Sequence, residues 1–356
     1  MADVPDHPPG SGPARNEPEY EVIGGVIDDQ PGGFERNSPR NGSQGRPAAH
    51  FGAALADAWR SARTSFTSWW FWAACALGIA VAWGTAAAVV AVGEANGWFD
   101  VSAVSAIYLI MALFLPLAAA VLGAVWGFRH SHGRRFVVLL SGAMRGAALA
   151  AMAGAALFVV RLNDGGPMAL TGAAVVVIVI EVALFGLIGA GSRRCFARAA
   201  PGAALAAAVV AFLCLGNVVV TVLLLPGTTG MDHASVPANV ERDDSGTVTA
   251  YECVGELRPV EVAHTDRVAW LAAANPALLL GSLGADMVSP DNELGWVLAG
   301  LQWASDGPSR EVPCLGGESS DVRAPSMPVA LTGLALQALT AALVVVPGYR
   351  LAARRL

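Results

Sequence analysis

The sequence predicts an all-α, polytopic membrane protein with six transmembrane helices, both termini cytoplasmic, and a helical extracytoplasmic insertion between spans five and six. Three observations lead there. Long uncharged stretches recur along the chain, and each exceeds the roughly 20 residues a helix needs to cross bilayer hydrocarbon. Hydrophobic residues make up 54% and charged residues 14%, where an ordinary soluble domain has about 25% charged residues. Arginines gather in the short loops at one end of the apolar stretches, which fixes the orientation.

Residues 1–46 are rich in proline and glycine and have no apolar period. Such a segment cannot bury enough surface to offset its conformational entropy, so a disordered cytoplasmic tail is expected. It carries no signal-peptide core, so the first span is expected to act as its own insertion signal. From 47 to 66, Phe51, Leu55, Trp59, Ala62 and Phe66 recur at helical spacing, with Asp57, Arg60, Arg63 and Thr64 on the other side. That pattern predicts an amphipathic helix lying on the membrane, started by Pro47, whose missing N–H costs nothing in a first turn. Spans one to five fall within 67–226 and span six within 326–350, followed by a cytoplasmic end at 351–356. Trp69–Val92, Val101–Phe128, Ala199–Met231 and Ala324–Tyr349 are uncharged, whereas Phe136–Val160 and Gly165–Ser192 carry one ionisable residue each, Arg145 and Glu181.

The loops holding Arg60 and Arg63, then Arg129, Arg134 and Arg135, then Arg193, Arg194 and Arg198, then Arg350, Arg354 and Arg355 face the cytoplasm by the positive-inside rule. The remaining large connection, 227–325, is acidic and external. Within it Val268–Ala285 is uncharged but is broken by Asn275-Pro276. It reads, with Leu294–Trp303, as helices that dip into or rest on the outer leaflet.

The chain contains no lysine; all 22 basic residues are arginine. A Walker phosphate loop requires a lysine, and so does Schiff-base catalysis. No nucleophile elbow or zinc-protease helix motif occurs either, so neither an enzyme nor a cofactor is expected.

The plan resembles the membrane permease subunits of bacterial ABC exporters of the drug-and-polysaccharide-exporting type. The resemblance runs over residues 47–356: an interfacial helix, a coupling region at 129–145, and a large external excursion before the last span. Gly133 to Arg145 looks like that family's coupling helix, although His130 and His132 stand where acidic residues are usual. Thr265 to Leu271, containing Trp270, followed by Asn275-Pro276, looks like its external-loop motif. The resemblance implies a bacterial plasma-membrane location, a separate cytoplasmic P-loop ATPase docking on Arg129, His130, His132, Arg134, Arg135 and Arg145, and a homodimer or heterodimer of permeases. Lipid is then the surrounding medium and nucleic acid is no partner. The competing class is a non-transporting sensor or assembly protein that uses the acidic external segment.

Arg145 and Glu181 are candidates because an unpaired charge in hydrocarbon is costly. They either pair across neighbouring antiparallel spans, or Arg145 snorkels to the interface and Glu181 needs another partner. Asn217 reads as interhelical glue. Of five cysteines, only Cys253 and Cys314 share the external compartment, so they form the one plausible disulfide. His130 and His132, set among arginines, read as a basic loop and not as a metal site.

Overall fold

The computed structural model describes residues 47–97, 105–131, 133–242, 248–288, 295–308, 312–317 and 328–355. The tail at 1–46 and His132 lie outside the described residues.

The first helix, α1, is Pro47–Phe66. Its small residues Ala58, Ala62 and Ser65 are buried, while the bulky Phe51, Leu55 and Trp59 remain exposed. Two faces thus share the work: one packs on the bundle and the other presents aromatic and aliphatic surface outward. At its end Trp72 donates Nε1–H to the Phe66 carbonyl at 2.9 Å, and Phe66 packs against Phe71 with ring centroids 5.4 Å apart.

Six helices are long and apolar enough to cross a membrane. They begin with α2 (Trp69–Ala95), α3 (Ala106–Arg129), α4 (Arg135–Asp164) and α5 (Met168–Cys195). The fifth is compound: α6 (Ala199–Ala211), a π-helical turn at Phe212–Gly216, and α7 (Asn217–Leu224). Between the fifth and sixth of these helices lie β1 (Thr229–Arg242), β2 (Val248–Ala263), α8 (Asp266–Ala273), α9 (Pro276–Gly284) and α10 (Gly295–Asp306). The sixth spanning helix is α11 (Val329–Ala353).

Two expectations are corrected here. The chain is not all-α, because β1 and β2 form an antiparallel hairpin running from Thr229↔Ala263 to Arg242↔Val248. Residues 229–263 are rich in Val and Thr and broken by Pro237 and Pro259, a composition that suits an extended ladder better than a helix. Nor does a separate coupling helix lie between α3 and α4 among the described residues. Gly133 and Arg134 belong to a short turn, and Arg135 begins a helix that continues to Asp164. The apolar run after Arg135 contains no proline, and its glycines are accommodated by close packing on α5, so the helix continues into the span.

Helix α5 is the hub, packed by α3, α4, α6, α9 and α11. Backbones touch where its small residues meet those of its neighbours. A Cβ on Gly127 would stand 1.9 Å from the Gly186 carbonyl oxygen, and one on Gly189 would stand 2.0 Å from that of Ala124. Gly142 and Gly146 of α4 face Ala183 and Val179 in the same way. The glycine pairs on α3 and α4 therefore serve packing within one chain.

The segment between the fifth and sixth of the long apolar helices is tied to itself by the Cys253–Cys314 disulfide, which closes 61 residues of sequence. Residues near Cys314 also extend the hairpin: Ser235 N–H donates to Cys314 O at 3.2 Å, and Gly316 N–H donates to His233 O at 2.8 Å.

Candidate functional site

Helices α8 and α9 form a V whose tip, Ala274–Asn275, reaches the interior of the bundle. The tip is held by three separate devices. Asn275 is the N-cap of α9, its Oδ1 accepting from Ala277 N–H at 2.9 Å and Leu278 N–H at 3.3 Å. Pro276 follows at the first helical position, where its missing N–H is harmless. The other half of the Asn275 amide turns to the fifth span: Nδ2 donates to Cys214 O at 2.8 Å and to Leu213 O at 3.4 Å. Those carbonyls are available because the helix is π-wound there, with Asn217 N–H reaching back five residues to Phe212 O. A break in one element thus meets a break in another.

The third device is Gln337 of α11, which is fully buried. Its Nε2 donates to Ala274 O at 3.1 Å and to Glu181 Oε1 at 2.9 Å. One turn earlier, Gly333 lets α11 approach: a Cβ there would stand 2.0 Å from Ala273 O. Glu181, in the middle of α5, is 0% exposed. Its second oxygen, Oε2, has no hydrogen-bond partner, and neither does Gln337 Oε1. No arginine or histidine among the described residues forms an ion pair with Glu181. A carboxyl so placed must be neutral or accompanied by a cation, because a bare carboxylate in hydrocarbon costs several kcal/mol.

Arg145 does not reach Glu181. Its Nε donates to Ser65 Oγ at 2.9 Å, Nη1 to Ser141 Oγ at 3.4 Å, and Nη2 to Ser61 O at 2.9 Å and Ser61 Oγ at 3.1 Å. Arg145 is also 2% exposed, so it does not snorkel into water; α1 covers it. It is the pin that fastens α1 to α4. Asn217 is buried, its Oδ1 accepts from Val218 N–H at 2.8 Å, and its Nδ2 is unpartnered. Trp270 lies half-exposed on α8 and donates to its own helix at Arg267 O, 2.7 Å; it stays outside the buried junction.

The arginine-rich end is built around the α3–α4 turn. Arg194 donates Nε–H to Ser131 O at 2.7 Å and Nη2–H to Gly133 O at 2.8 Å, while its guanidinium lies 3.8 Å over the Tyr349 ring. Tyr349 OH donates to Gly133 O at 3.2 Å, and Arg135 sits 5.7 Å from the same ring. Arg129 and Arg134 are exposed on the surface of this turn. His130 donates Nδ1–H to Trp126 O at 3.0 Å, and burial, followed by the charges of Arg145 and Arg129, pushes its pKa down.

Gln337 escaped the sequence reading. The rule that singled out Asn217, an amide within an apolar span, would have found it. Comparison with protein-family models, with curated proteins and with solved structures finds no match to this chain.

Proposed function

We propose that this chain is the membrane permease subunit of an ATP-driven exporter in a bacterial plasma membrane, with both termini in the cytoplasm. The observation that carries the reading is the Ala274–Asn275 tip, buried against Glu181's partner Gln337 and the π-turn of the fifth span. Broken helices that meet polar groups deep in a bundle are tolerated where they line a path, and they recur in transport proteins. ATP hydrolysis falls to a separate subunit, since a chain without lysine builds no phosphate loop. Two permease chains, identical or paralogous, and two ATPases make the working assembly.

The ATPase contact is the arginine-rich end, through Arg129, Arg134 and Arg135 with α1 alongside. With no separate coupling helix among the described residues, force passes directly through a turn clamped by Arg194 and Tyr349. Gentle extraction of natively expressed protein should recover a nucleotide-binding partner, and Arg134→Glu should uncouple it without blocking membrane insertion. Repeated purification without such a partner, together with no ATP-dependent transport, rejects the permease reading. The sensor reading would then take its place, favoured by the exposed Met231, Val236, Val254 and Leu257 on the disulfide-tied hairpin.

A further inference from the structure

Gln337 Nε2 holds two things at once, the Glu181 carboxyl and the carbonyl at the tip of the α8–α9 hairpin. Any movement of the hairpin therefore changes the surroundings of Glu181. Two fully buried oxygens of this pair, Glu181 Oε2 and Gln337 Oε1, accept no hydrogen bond from the described residues. A carboxyl group with neither a donor nor a charge partner is cheapest when it carries its own proton.

Arg129, Asp164 and Arg350 lie at the far ends of the helices packed around α5; the titratable groups nearer its middle are engaged elsewhere, with one exception. Arg145 on α4 is committed to the serines of α1 and α4. Tyr108 on α3 donates to Pro167 O at 2.7 Å and lies 2.8 Å from Thr171 Oγ1. Arg161 on α4 donates to Gly166 O. Tyr349 on α11 lies under Arg194 at the other end, and α9 contains no titratable residue. The exception is Cys214 in the fifth span, a free thiol whose own carbonyl accepts from Asn275 at the hairpin tip. Among the described residues no fixed cation compensates Glu181.

We propose that Glu181 is a reversible proton-binding residue at the centre of the bundle, and that the α8–α9 hairpin controls its access to water. Proton uptake from hydronium forms the O–H bond at Oε2, converts the carboxylate to a carboxylic acid and leaves one water; release runs the same step in reverse. With the hairpin seated, the acid is sealed and neutral. With the hairpin withdrawn, Gln337 loses Ala274 O, water enters, and the proton leaves. A step of this kind would tie hairpin position to protonation, and so deepens the transport reading, on which the hairpin's role rests.

The test is infrared difference spectroscopy of the full-length chain in lipid, without ATPase or substrate. A carboxylic-acid carbonyl band should be present at mildly acidic pH, disappear as pH rises, and shift in heavy water. It should be lost in Glu181→Gln and retained, displaced, in Glu181→Asp. Gly333→Ala, which forces α11 off the hairpin tip, should speed deuterium exchange of that band at least about tenfold, as expected for easier local opening. A band absent at every pH overturns the proposal, as does one that neither titrates nor exchanges. Unchanged exchange in a folded Gly333→Ala chain overturns the gate. Loss of the band on adding sodium at constant pH would assign the site to a metal cation and overturn the proton. None of these readouts involves the ATPase, so they fail independently of the permease reading.

Discussion

At the scale of single residues, the two intramembrane charges have separate roles. Arg145 fastens α1, and Glu181 belongs to the junction with Gln337. Glu181→Gln and Arg145→Met should then be additive in unfolding free energy to within about 0.5 kcal/mol, measured by denaturant titration in detergent. A larger coupling would mean that they communicate. Asn275→Ala should cost more than an ordinary cap. It removes the cap of α9 and the amide donor to the Cys214 and Leu213 carbonyls, together about 2 to 3 kcal/mol. Asn275→Asp keeps the cap acceptor but sets an oxygen against those carbonyls, so it should be no better than alanine. His130 carries the pH dependence at the arginine-rich end. Its folded pKa lies below its ordinary value, so the unfolded chain takes the proton first. Stability is therefore full above the usual histidine range and falls as pH drops through that range toward the folded value. Thermal midpoints against pH should show this, and His130→Gln should flatten the curve.

At the scale of elements, α5 depends on backbone contact with α3. Gly127→Ala places a methyl group inside the Gly186 carbonyl and should cost about 1 to 3 kcal/mol through forced separation of the helices. Gly172, on the same α5 but with open space around its Cβ direction, is the control: alanine there should be neutral or stabilising by up to about 1 kcal/mol. Thermal unfolding in detergent reads both. Equal effects at the two sites would mean that helix propensity, and not the α3–α5 contact, is being measured.

For the whole molecule, the disulfide and the orientation are the two large-scale claims. Non-reduced peptide mapping should find Cys253 joined to Cys314, with Cys75, Cys195 and Cys214 free to alkylate after denaturation. Closing a loop of 61 residues restricts the unfolded chain by about 4 kcal/mol in the entropy treatment. Reduction should accordingly raise hydrogen exchange in β1 and β2 while leaving α3 and α5 protected. Reporter fusions after residues 130, 195 and 352 should report cytoplasm, and those after 97, 164 and 245 the outside. A fusion after Arg354 reporting outside would break the six-span reading.

Helices able to span the membrane were legible from composition alone, because hydrocarbon selects for length and lack of charge without regard to neighbours. Glu181 and Asn217 stood out for the same reason, and Asn275 as half of the Asn-Pro break in an uncharged stretch. What they touch was not legible. Counted from the arginine-rich ends of neighbouring antiparallel spans, Arg145 and Glu181 come level, so spacing allowed a bond between them as well as a snorkelling arginine. Rotation about the helix axes, set by the Gly142 and Gly146 contacts with α5 and by the serines of α1, turns Arg145 to another side. The β-hairpin was hidden because its apolar residues alternate too weakly to separate a ladder from a loop. Sequence by itself thus determined how many segments can enter a membrane and which polar residues are costly there. Only the tertiary structure decided which of those groups share a hydrogen bond, since helix rotation and a π-turn depend on packing among residues far apart in the chain.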